Sequence, residues 1–164
     1  MNVYDFLIEN AHPGDVAIES REERTTYDQL IRATNRVAAT LSAAGVERGT
    51  RGGIIAPNST FWVASYLAAM KLGAVAVPFS AKFKPQGFRE RQNLVQCKYY
   101  CTTPVFLKRF GAEMSPDHVV IMEESPEDGE NNRQRPRCFQ VTENDEPSPT
   151  VSVDENDLAA LMFT

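Results

Sequence analysis

The alternation of apolar and polar side chains is clearest between Tyr27 and Gly45. Tyr27, Leu30, Ile31, Thr34, Val37, Ala38 and Leu41 recur every three or four residues, which puts them on one face of an α-helix. Asp28, Arg32, Asn35, Arg36 and Ser42 fall largely on the other face. Thr26 stands where its hydroxyl accepts a free N–H of the first turn, and Gly45 stands where a left-handed residue closes the last turn. Ser59 to Leu72 is apolar almost all round, through Phe61, Trp62, Val63, Ala64, Tyr66, Leu67, Ala68, Ala69 and Met70. The spacing predicts a helix there that is buried on most faces, capped by Asn58 and ended by Gly73. A short helix is predicted over Asn2–Ala11, where Val3, Phe6, Leu7 and Asn10 share a helical spacing and Pro13-Gly14 stops it.

Between these helices lie short continuous apolar runs. Val16–Ser20, Arg51–Ala56 and Ala74–Pro78 read as strands, with Arg21–Glu23 a polar turn and Gly45–Gly49 a return loop. Strand, helix, strand with uninterrupted apolar strands and short loops indicates a parallel sheet covered by helices. Further on, Ser80–Pro85 reads as a basic loop, Gln86–Gln96 as a helix, and Lys98–Thr103 and Val119–Met122 as strands. Glu123–Thr150 is acidic and rich in Pro, Ser and Asn, the composition of a flexible loop. Leu158–Thr164 reads as a last apolar strand. The expected fold class is α/β, three-layer, with a mostly parallel sheet flanked by helices.

Composition refines this. The 164 residues, 42% apolar and 24% charged, suit one ordinary globular unit. The net charge of −5 argues against a nucleic-acid binder. It hides an asymmetry: Lys82–Arg109 carries 7 basic and 1 acidic side chains, Phe110–Thr164 carries 3 basic and 13 acidic. There is no signal-peptide pattern at the start and no run near the ~18 apolar residues of a membrane span, so no membrane partner and a cytoplasmic location are expected. Cys97, Cys101 and Cys138 are odd in number and read as idle thiols rather than a disulfide framework or metal site. His12 and His118 lack a nucleophile partner and read as surface histidines. Gly45, Gly49, Gly52 and Gly53 lack the G-x-G-x-x-G spacing and read as turn glycines. The Glu123–Glu130 run lacks calcium-loop spacing and reads as a solvated face. No catalytic residue and no metal ligand is assigned.

Four stretches taken together resemble the adenylate-forming superfamily of acyl-CoA synthetases, adenylation domains of peptide synthetases and luciferases. They are Thr26-Tyr27-Asp28-Gln29-Leu30, Gly45-Val46-Glu47-Arg48-Gly49-Thr50-Arg51, Ile54–Ser59 ending in Pro57-Asn58-Ser59, and Met70-Lys71-Leu72-Gly73-Ala74-Val75-Ala76-Val77-Pro78. The last is similar to L-K-x-G-A-x-x-V-P nearly position for position. Thr50 departs from the usual Asp, and Gln86–Thr103 fits the pattern poorly. Asp157–Thr164 resembles the strand that leads into S-G-[ST]-T-G-x-P-K, the loop that holds ATP phosphates.

The resemblance implies that residues 1–164 form the N-terminal subdomain of a larger ligase, ending just before that loop, with 123–150 a flexible acidic loop within it. It implies ATP and Mg2+ as cofactors of the full-length enzyme, a carboxylic acid substrate, and CoA or a carrier protein as thiol acceptor. Thr164 is the one cofactor-binding candidate: by resemblance it opens the phosphate loop, and otherwise it simply ends a strand. The isolated chain is expected to be inactive, to bind no cofactor tightly, and to self-associate through an exposed Leu158–Phe163 strand. Lys108-Arg109 offers a grip for a CoA phosphate, against the plainer reading of a solvated charged face. A peptide-synthetase adenylation fragment, a non-catalytic docking module and an unrelated flavodoxin-like domain stand as alternatives.

Overall fold

The computed structural model describes residues 2–115, 117–122, 137–141 and 147–163. Chain order is α1 (Val3–Ile8), β1 (Val16–Glu19), β2 (Arg24–Thr26), α2 (Tyr27–Ala43), β3 (Arg51–Ile55), α3 (Thr60–Lys71), β4 (Val75–Pro78), α4 (Pro85–Val95), β5 (Tyr99–Thr102), α5 (Pro104–Phe110), β6 (Val119–Met122) and β7 (Arg137–Gln140). Strands β1 and β2 form an antiparallel hairpin; the other five form a sheet in the order β4-β3-β5-β6-β7, every pair parallel. This is the expected α/β architecture with its parallel sheet between helices.

Helix α2 begins as its sequence indicates. Thr26 Oγ1 accepts from Gln29 N–H while Gln29 Oε1 accepts from Thr26 N–H, a reciprocal capping box. It ends with Gly45 at φ +86, Val46 N–H donating to Leu41 O and Gly45 N–H to Ser42 O, which satisfies two otherwise orphaned carbonyls. Helix α3 is capped by Ser59, whose hydroxyl accepts from Trp62 N–H, rather than by Asn58. Glu23 of the hairpin adds a second acceptor, taking Thr60 N–H at 3.0 Å.

Side chains alternate across the sheet, as a strand period of two requires. Ile54, Ala76, Tyr99, Cys101 and Ile121 pack under α1, α2 and α3, while Ile55, Val77, Tyr100, Val120 and Met122 pack under α4 and α5. Gly52 and Gly53 lie in β3, not in a turn. A Cβ on Gly52 would sit 1.8 Å from Tyr99 Cζ, and one on Gly53 would sit 2.3 Å from Tyr100 Cε1. The two glycines leave room for two rings of the neighbouring strand, one on each face.

Several other expectations are corrected. On α1, Val3, Phe6 and Leu7 face solvent at 41%, 65% and 50% exposure, and Tyr4 is the residue that enters the core. The segment is helical as its spacing predicts, but its buried face is set by Tyr4 and by Asn2, whose Nδ2 donates to Met70 O and Val151 O at 2.8 and 3.0 Å. Asn35, assigned to the polar face of α2, is buried because its Oδ1 accepts from the buried Lys71 Nζ at 2.7 Å. Helix α5 and strands β2 and β7 stand where no element was expected, β7 inside the stretch read as a loop. The rest of 123–150 lies mostly outside the described residues. Leu158–Phe163 is not a full strand: its ladder to β4 is a single parallel bridge, Ala76 to Ala160.

Candidate functional site at the carboxyl edge of the sheet

Open parallel sheets bind ligands outside the carboxyl ends of their strands, at the point where the strand order reverses. Here that reversal falls between β3 and β5, since β3 leads outward to β4 and β5 leads the other way to β6. The terminal segment also reaches the carboxyl end of the sheet, beside β4 and so across β3 from that reversal. Ala76 N–H donates to Ala159 O and Leu161 N–H donates to Ala76 O, both at 2.9 Å, so residues 159–161 run parallel to β4. Continuing that register, Phe163 meets Phe79, the first residue past β4, with ring centroids 5.2 Å apart.

Around Phe163 the structure gathers residues from three distant stretches. Phe83 of the basic loop meets it edge-on at 6.3 Å. The Arg91 guanidinium of α4 lies 4.2 Å from the Phe83 ring centre and 5.7 Å from that of Phe163, within cation–π reach of both. Arg109 of α5 donates Nη1 to Ala81 O at 2.9 Å and Nη2 to Phe83 O at 2.7 Å, and stacks over Phe110. Two fork donors of Arg109 are thus committed to loop carbonyls, whereas Lys108 beside it is exposed. The basic character of Lys82–Arg109 is partly a device for holding the loop after β4. Leu158 and Met162 remain exposed at 49% and 69%, an apolar strip on the terminal segment.

Thr164, the one sequence-assigned cofactor residue, lies outside the described residues. Arg91, Phe83 and Phe163 carried no assignment in the sequence. Their only signal was the density of positive charge among aromatic residues. At this edge no three His, Cys, Asp or Glu side chains among the described residues gather as a metal-binding set. The nearby arginines are spent on carbonyls and rings. These donors alone do not make a cradle for a nucleotide triphosphate.

Away from this edge, His118 is buried rather than on the surface. Its Nδ1 accepts Ser115 N–H at 3.0 Å, and its Nε2 lies 3.2 Å from Gln92 Nε2. Gln92 in turn accepts from Tyr100 OH and donates to Cys97 O at 3.3 Å. Burial first, then the nearby Lys98 charge, holds the imidazole below its ordinary pKa, with Asp117 opposing. Cys97 and Cys101 are buried, and burial pushes each thiol up to about 12; Cys138 is exposed. Exposed His12 matches its expectation. No described helix is long and apolar enough to cross a membrane.

The family described as AMP-binding enzyme matches residues 8–164. Acetyl-coenzyme A synthetase of Bacillus subtilis (strain 168) is 31% identical over 114 residues, covering 68% of this chain and 20% of that one. Bacitracin synthase 1 of Bacillus licheniformis is 27% identical over 116 residues, covering 71% of this chain and 2% of that one. The whole chain superposes on a variant of coronafacic acid ligase from Pectobacterium brasiliense at a TM-score of 0.82 and 19% identity, covering 33% of that chain, a likeness of fold. The chain therefore spans a third or less of the length of these relatives. A match over nearly all of its residues makes this chain a member of the AMP-binding enzyme family.

Proposed function

We propose that these residues form the N-terminal subdomain of an ATP-dependent acid–thiol ligase. The parent enzyme joins a carboxylate to the α-phosphorus of ATP, releasing pyrophosphate. The acyl group then passes from the adenylate to CoA or a carrier thiol, releasing AMP. The observation that carries this reading is the parallel seat of residues 159–161 on β4, which directs the chain toward the ligand-binding edge of the sheet. In this reading Thr164 opens the phosphate loop, and residues beyond it supply the donors and the magnesium-holding groups that the described residues lack. The acyl-CoA reading is preferred over a peptide-synthetase adenylation domain because Lys82 and Lys84 of the loop after β4 are exposed cations, better suited to the diphosphate and 3′-phosphate of CoA than to the single phosphodiester of a carrier-bound thiol arm.

Carboxylate-dependent exchange of labelled pyrophosphate into ATP tests the proposal. The 164-residue chain is expected to give none, and the chain extended along its coding sequence past Thr164 is expected to support it. CoA stimulating AMP release from the extended chain favours the CoA acceptor, and stimulation only by a carrier protein favours the alternative.

A further inference from the structure

The terminal segment is weakly tied to the sheet by its backbone. Its two ladder bonds both involve Ala76, and among the described residues none follows Leu161. Phe163 is nevertheless seated among Phe79, Phe83 and Arg91. Two of these, Phe83 and Arg91, come from the basic segment. Arg91 is fixed at its own base, donating Nη1 to Gly87 O at 3.1 Å, and covers both rings. Arg109 fixes the loop that carries Phe83 through two carbonyls, Ala81 and Phe83, that lie 28 and 26 residues away in sequence. Arg89, by contrast, turns to Glu113 and takes no part.

We infer that Arg91 and Arg109 are positioning residues, which act through Phe83 to set the place of Phe163 and so the path of the backbone entering the segment after it. A guanidinium suits this task because its flat cation stacks on rings while its edge still donates to carbonyls. Lysine retains the charge but not the fork. The clamp itself stands on the contacts described; only its consequence for nucleotide binding rests on the reading that Thr164 opens the phosphate loop.

Amide hydrogen exchange on the 164-residue chain tests the clamp. Arg91→Met is expected to speed exchange of the Leu161 amide about tenfold relative to the β3 amides, since two ring contacts are lost. Arg91→Lys is expected to recover only a minor part of the protection, because the ammonium keeps the charge but neither stacks on both rings nor keeps the fork, and Arg109→Met is expected to act in the same direction as Arg91→Met. Unchanged exchange at Leu161 in Arg91→Met would overturn the clamp. So would equal acceleration of the β3 amides, because the residue would then be holding the whole fold.

In the extended chain, Arg91→Met is expected to raise the KM for ATP in pyrophosphate exchange more than it lowers kcat. A loosened Leu161 with an unchanged KM would overturn the link to the nucleotide and leave the clamp standing. A parent chain with no exchange activity at all would instead sink the proposed function.

Discussion

Replacing Gly52 by alanine places a methyl group where the ring of Tyr99 now lies. The added carbon would sit 1.8 Å from Tyr99 Cζ and 2.3 Å from both Cε atoms. Non-bonded carbons rest at roughly 3.5–4.0 Å, so ring and strand must separate by about 2 Å. Tyr99 has no room to retreat: it is 1% exposed and packed into the core under α2 and α3. Its hydroxyl is already buried with no hydrogen-bond partner among the described residues.

Overpacking a core costs roughly 1–3 kcal/mol and occasionally more, and a clash with a ring on the adjacent central strand belongs at the upper end. At ~2–4 °C per kcal/mol for a chain of this size, a cost of ~3 kcal/mol lowers Tm by roughly 6–12 °C. Urea and thermal unfolding followed by circular dichroism measure it. Gly14→Ala is the matched control, since no atom lies within 4 Å of its added methyl, and it is expected to be neutral or stabilising by up to ~1 kcal/mol. A Gly52→Ala loss under about 0.5 kcal/mol, the range of an ordinary surface substitution, would refute the argument that β3 is glycine-rich for the sake of the tyrosine rings.

Other consequences follow from the buried polar groups. Because the folded state holds His118 neutral, stability is full above the unfolded pKa of about 6.5 and falls as pH drops below it; the difference between wild type and His118→Gln across pH 5–8 should show this slope, and a flat difference would contradict it. Asn35→Leu removes the oxygen that Lys71 donates to and should cost about 2–3 kcal/mol at pH 7. Burial lowers the Lys71 pKa, so that deficit should shrink in unfolding titrations as pH rises toward 10 and the amine sheds its proton. Maleimide at pH 7.5 should label Cys138 in the native chain and reach Cys97 and Cys101 only after denaturation.

Much of the scaffold is legible in the sequence, and the failures have identifiable causes. Helix α2 follows from a stripe, a cap and a stop that agree with one another, and α3 and β4 follow from unbroken apolar runs. Strands β2 and β7 have three and four residues, too few to show a period. Helix α5 carried a usable signal, proline at its first position after Thr103, but its seven residues mix core rings with exposed Val105, Lys108 and Arg109.

Asn35, Lys71, Gln92 and His118 were hidden for a shared reason. Each is a polar side chain whose burial depends on a partner far along the chain, and no local pattern announces such a partner. The candidate site suffered most from this. Positive charge in Lys82–Arg109 was visible, but the task given to it, holding Phe83 and Phe163 rather than meeting solvent, depends on contacts as far apart in sequence as Arg91 and Phe163.

Pyrophosphate exchange tests the central claim most directly. With a panel of carboxylic acids, the chain extended past Thr164 should exchange labelled pyrophosphate into ATP in an acid-dependent manner, and the 164 residues alone should show only background. Turnover by the isolated chain would contradict the placement of the phosphate-binding parts beyond Thr164. An extended chain with no acid-dependent exchange would contradict the ligase itself.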